Sequence, residues 1–419
     1  MSVQIFHGDV LYSKDKDTLV SYKGGYIVVK DGLVDKIFEK LPEQYKNLPI
    51  NDYGKGVIIP SFSDLHVHAS QYTERGLGMD CLLRDWLNDY TFPQEAKFKD
   101  KEYAEKVYDA FVKDMLLNGT FRLSAFTTIH NKSTDILFEK LEKYGIYGYV
   151  GKVNMDANSP NYLWESTAES LKTTEEFLRR HTGGKRVKTI ITPRFAPTCS
   201  PELMTGLGKL GKKYGVGVQT HVVESIWEAG EAMRLFPDCE SDSDIYRKAG
   251  LLDNGPNIFA HVIFPTRSDM EIMKNYNCTA VHCPDATTNV IAGIMPLKQI
   301  LANNNVALGS DIGGGHHPAI YKQVARAVQL SKMKNFYEPN PAKTINFATA
   351  FYCATRAGGS VFGNMGHFEK GRNFNAIVID NIEDKGFPLT PEQKVERFCY
   401  IGDDRNIVGR YIDGTPVNI

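Results

Sequence analysis

The chain has 419 residues and a mass of 47.0 kDa, enough for one large α/β barrel or for two to three ordinary domains. Its 42% hydrophobic and 24% charged residues are ordinary for a globular protein, and a net charge of −1 with a pI near 6.8 argues against nucleic acid as a partner. No stretch is apolar enough for a membrane span, the start has neither a basic nor an apolar signal region, and the seven cysteines are scattered without a Cys-x-x-Cys pair. A reducing, cytoplasmic setting is therefore expected, with no membrane contact and no cysteine zinc site.

Residues 1–59 predict a small β region, in which Asp31-Gly32 between two apolar runs signals a hairpin. From residue 60 to about 365 the pattern changes to strands alternating with helices. A first strand begins after Pro60 and ends at His68. Further strands are predicted at 124–129, 147–153, 188–194, 216–221, 257–262, 278–282 and 306–310. Between them, residues 133–144 predict a helix capped by Ser133 and ended by Gly145, and Ser200-Pro201 opens another. The charged stretch 93–106 reads as a solvated helical face. Eight strands predict a (β/α)₈ TIM-type barrel over 60–365. The rival, a doubly wound sheet, lacks a Gly-x-Gly-x-x-Gly after its early strands. Residues 366–419 return to β-like sequence and are expected to join 1–59 in a composite β-sandwich domain.

Catalytic groups of such barrels stand at the C-terminal ends of strands. The first strand ends in His66-Val67-His68, whose imidazoles share one face because side chains alternate along a strand. Two neutral imidazoles so placed make half a site for zinc or iron. His221 ends the fifth strand, His261 the sixth and Asp311 the eighth. Any one of these alone reads as a structural residue; together they predict a metal centre. Glu224, where the fifth strand turns toward a helix, can hang over the same mouth and carry protons, or can simply favour the helix start. Lys152, ending the third strand, is the one lysine that leaves a second, bridged metal open; one metal per chain is expected, zinc before iron.

Assembled, these residues resemble the amidohydrolase superfamily. Residues 64–98 (DLHVHASQY through RGLGMD to DWLNDYTFPQEAKF), 150–156 (VGKVNMD), 192–195 (TPRF), 219–225 (QTHVVES) and 402–407 (GDDRNI) further resemble guanine deaminases. The resemblance implies metal ligands His66, His68, His221 and Asp311, with Glu224 as proton shuttle and Asp311 as the base for the attacking water. It makes His261 a partner of the reacting oxygen and gives Gln71, Arg194 and Phe195 to the purine, beside His68, His221, Glu224 and Asp311. The implied activity is hydrolysis of guanine to xanthine and ammonia by a homodimer. A deaminase or chlorohydrolase of another heterocycle such as a triazine is the alternative, and a silent scaffold a remote one. Ser61 and Asn375 depart from the superfamily's usual Gly and Asp. So do His282-Cys-Pro-Asp285-Ala-Thr-Thr288 and His316-His317, which are expected near the pocket rim. Asp285 is the reserve candidate for the proton shuttle.

Overall fold

A computed structural model describes residues 2–339, 344–363, 365–383 and 386–419. The chain opens with four strands, β1 (Val3–Ser13), β2 (Leu19–Lys30), β3 (Leu33–Phe38) and β4 (Ile50–Pro60). Between β2 and β3 the turn is Asp31-Gly32, with φ of 48° and 80°. Both residues lie in the left-handed region that suits a tight hairpin and that Asp and Gly tolerate.

The barrel follows. Its parallel strands are β5 (Phe62–His68), β6 (Thr120–Phe126) and β7 (Tyr147–Gly151), with β8 (Val153–Asn154) continuing from β7. Next come β9 (Val187–Thr189) and its continuation β10 (Thr192–Pro193), then β11 (Val218–Val222), β12 (Asn257–His261), β13 (Thr279–His282) and β14 (Asn305–Leu308). They pair in the orders β5-β6-β7-β9 and β11-β12-β13-β14, and the Ile191–Val218 bridge joins the halves. On the other seam, Asp311 N–H donates to His66 C=O at 2.8 Å and His68 N–H to Ile312 C=O at 2.9 Å. The first and last strands are thus stitched together just past the end of β14, which is what makes this sheet a TIM-type barrel.

Small and branched side chains, among them Leu65, Ile190, Ile258, Val281 and Ala307, fill the barrel's interior. Surrounding helices bury a larger shell against its outer face, and their ends follow elementary rules. Ser200 accepts Leu203 N–H at the start of Pro201–Tyr214, and Gly145 ends Asn131–Tyr144 at φ 77°. Ser133 is not the cap of that second helix. It lies inside the first turn, donating to His130 C=O, because the helix begins two residues earlier than its polar pattern indicates.

At the C-terminus β15 (Ala376–Ile379), β16 (Ile407–Ile412) and β17 (Thr415–Pro416) return to the opening strands. All seven form one mixed sheet, ordered β17-β16-β15-β4-β1-β2-β3. Lys394, on the helix Pro391–Ile401, reaches from the C-terminal part to Asp9 on β1 at 2.9 Å and to Glu383 at 3.2 Å, and is buried with Asp9.

Candidate active site

At the C-terminal end of the barrel, β5 presents His66 and His68 with their ring centroids 5.0 Å apart and nearly perpendicular. His221, at the end of β11, brings its Nε2 to 3.1 Å from His68 Nε2. Asp311 Oδ1 stands 3.1 Å from His66 Nε2 and 3.6 Å from His68 Nε2. All four side chains are buried. Burial, with the Arg194 cation beyond, pushes the His66 ring down to about 3, and burial holds His68 and His221 well below the usual imidazole range. The shifts favour neutral rings, each able to present a lone pair.

The cluster fits a cation better than it fits its own hydrogen bonding. His221 donates Nδ1–H to Arg194 C=O at 2.5 Å, so its Nε2 is a bare acceptor aimed at another imidazole nitrogen. His66 Nε2 and both nitrogens of His261 have no hydrogen-bond partner. Two donors bound tetrahedrally to one zinc at 2.0–2.1 Å stand about 3.3 Å apart, close to the spacings here. Among the described residues, His66–His68–His221 and His66–His261–Asp311 are the groups that could hold a metal ion.

Asp64 braces this end. Its Oδ1 accepts Ser310 N–H at 3.0 Å and His66 N–H at 3.3 Å, while Oδ2 accepts the Ser310 hydroxyl at 2.5 Å. Gly309 permits the close seam, since a Cβ there would stand 3.0 Å from His66 Cβ and 2.9 Å from Val281. Asp311 itself sits at φ 49°, a conformation aspartate tolerates better than most residues.

Glu224 follows β11 in a turn held by two other buried carboxyl groups. Asp242 accepts Val223 N–H and Glu228 accepts Glu224 N–H, each at 2.9 Å. Burial, then the Asp311 charge, pushes the Glu224 carboxyl up to about 8. His261 lies between the acids, its Nε2 3.7 Å from Glu224 Oε1 and 3.8 Å from Asp311 Oδ2.

The opposite wall carries Gln71, Arg194 and Phe195. Arg194 Nη1 donates to both oxygens of Glu95 at 2.9 Å, and its guanidinium carbon lies 5.3 Å from the Phe92 ring centre. Gln71 donates to Glu95 at 2.8 Å and accepts Gly313 N–H at 2.9 Å. Leu83, Trp86, Leu87 and Trp227 line the rest of the cleft with apolar surface. A second hollow outside it shares Leu87, Phe195 and Trp227.

Several expectations are corrected. The segment 93–106 is not wholly a solvated face: Glu95 and Phe98 are buried, as is Phe92 just before it, and Glu95 is only 1% exposed. Their spacing of three places one carboxylate on an apolar helical face, a signal the charge count of the segment concealed. Asp285 is no reserve shuttle, because Gln323 and Arg326 hold it at 2.8 and 3.1 Å, and it does not line the cleft. Neither 282–288 nor His316-His317 lines it. Lys152 is buried against Glu165 at 2.5 Å and Val153 C=O, an ion pair that gives it no free amine to bridge two metals. Asp64, Glu95, Trp86 and Trp227 were missed by sequence reasoning.

Comparison with known proteins agrees with this geometry. The amidohydrolase family pattern matches residues 57–417, most of the chain. The chain belongs to the amidohydrolase family. Among amidohydrolases it is similar to the guanine deaminase of Dictyostelium discoideum, at 32% identity over 99% of this chain and 98% of that protein. It is also similar to the crystal structure of the C. acetobutylicum guanine deaminase with guanine bound in its active site: 43% identity, TM-score 0.96, and all of both chains covered. The E. coli guanine deaminase structure matches at 27% identity with a TM-score of 0.87, covering 100% of this chain and 99% of that one.

Proposed function

We propose that this protein hydrolyses guanine to xanthine and ammonia. The observation that carries the reading is one cleft whose two walls divide the work. On one side a cluster of imidazoles and Asp311 adjoins Glu224; on the other, Arg194, Gln71 and Phe195 offer donors and a ring suited to a flat purine. His66, His68, His221 and Asp311 hold one divalent ion, zinc before iron. When bound, such an ion is a Lewis acid that lowers the pKa of water to roughly 7.

The chain's own residues carry the protons. Asp311 accepts the proton released by the attacking water. Glu224 donates its proton to the ring nitrogen beside the amino-bearing carbon, then relays the new hydroxyl proton to the departing amine. His261, flanked by both carboxyl groups, steadies the oxygen on that carbon. Phe195 lies 6.4 Å from the His221 ring and stacks on the purine.

The same reading takes 60–365 as the catalytic barrel and 1–59 with 366–419 as a composite small domain, supported by the mixed sheet that both termini build. It also makes the protein a cytoplasmic homodimer. Seven free cysteines suit a reducing compartment, and no helix among the described residues is long and apolar enough to cross a membrane.

The test is ammonia release by zinc-loaded protein from a panel of purines, pyrimidines and triazines, with elemental analysis alongside. Guanine should lead the panel, with about one metal per chain. A protein that releases ammonia from another heterocycle and none from guanine refutes the proposal.

A further inference from the structure

Glu95 is buried, touches both polar groups of the purine wall, and is assigned no part in the reaction above. We infer that Glu95 is a specificity-determining positioning residue: by fixing Gln71 and Arg194 as hydrogen-bond donors, it makes the wall read two adjacent acceptors on the purine edge. This rests on the guanine-hydrolysing reading and deepens it.

Gln71 is by itself ambiguous, since its amide can donate or accept. Here the ambiguity is removed. Its NH₂ donates to Glu95 Oε1 at 2.8 Å, and its Oε1 accepts Gly313 N–H at 2.9 Å. A flipped amide would set oxygen against carboxylate and NH₂ against N–H, two repulsive contacts in a buried place. One N–H of Gln71 is left free of Glu95, while its oxygen is engaged by Gly313. Arg194 can only donate, and Glu95 anchors its Nη1 through both carboxylate oxygens. Among the described residues its Nε and Nη2 make no hydrogen bond that would turn them from the cleft. Both residues line that cleft.

Charge is balanced as well. Glu95 forms a buried ion pair with Arg194, both its oxygens lying 2.9 Å from Nη1. The wall therefore pairs its charges and offers mainly donors. Guanine presents O6 and N7 as adjacent acceptors, whereas a 6-amino purine presents a donor beside N7.

The experiment compares guanine with 2,6-diaminopurine, which keeps the reacting 2-amino group and replaces O6 by an amine. The parent should favour guanine by roughly 10²-fold or more in kcat/KM. Glu95→Gln removes one of the two contacts that fix the Gln71 amide and the charge partner of Arg194, and the preference should fall by at least about tenfold, chiefly through KM, with metal content unchanged. A role only in folding would lower turnover of both purines alike and leave the ratio where it was. Glu95→Asp keeps the charge but is too short to reach both partners, and should lower the ratio by a smaller factor. If Glu95→Gln does not fold, Glu95→Asp decides. A ratio unchanged within about threefold in whichever variant folds overturns the inference, and a parent that releases no ammonia from guanine overturns the underlying reading instead.

Discussion

Stripping the metal site should cost this protein heat stability as well as turnover. A ligand that binds only the folded state, present at a thousand times its dissociation constant, stabilises by about 4.1 kcal/mol at 25 °C. Unfolding entropy near 60 °C is about 2.1 cal/mol/K per residue, so 419 residues give about 0.9 kcal/mol/K. The quotient is a fall in Tm of about 5 °C between zinc-buffered and chelated protein. Scanning calorimetry at fixed free zinc, with elemental analysis of the same samples, measures it. Glu224→Gln should show the full shift, because Glu224 is outside the ligand set. His68→Asn should lose most of it, because His68 Nε2 faces both His221 and Asp311. Equal Tm values for loaded and stripped parent, with zinc shown to be gone from one, would refute the argument that these nitrogens converge to hold a cation.

Glu224→Gln should keep its metal and lose about 10²–10⁴-fold in kcat, since an amide copies the shape without carrying the proton; steady-state kinetics reads this directly. Arg194→Met leaves Glu95 buried without its cation, a loss of about 3–5 kcal/mol in stability, and should reduce guanine kcat/KM by at least about a hundredfold. Adding Glu95→Leu to Arg194→Met should restore stability in denaturant titration while guanine turnover stays low. Lys394→Met strands Asp9 in the same way, again by about 3–5 kcal/mol, yet ammonia release per folded molecule should remain at the parent level.

The residues legible in the sequence were those whose chemistry and position speak locally. His66 and His68 are two apart on one strand, and His221, His261 and Asp311 each follow an apolar run that had to be a barrel strand. Glu95 was illegible because its meaning depends on Arg194, 99 residues later, and a carboxylate in a charged segment looks solvated until its partner is known. Asp285 failed as a reserve shuttle for the converse reason. It stands beside the strand-seven end, but Gln323 and Arg326 from a later helix claim its oxygens. The Ser133 cap was misjudged because polar residues in a first turn and at a cap look alike without backbone angles.

The Asp64–Ser310 clasp ties together groups 246 positions apart, and it does so directly beneath His66 and Asp311. Closing the seam therefore also sets His66 beside Asp311. A nascent chain that has emitted everything through β13 owns three of the four proposed ligands, but no seam to hold His66 against the fourth. The seam and the proposed four-residue site are thus completed together, by the last strand of the ring.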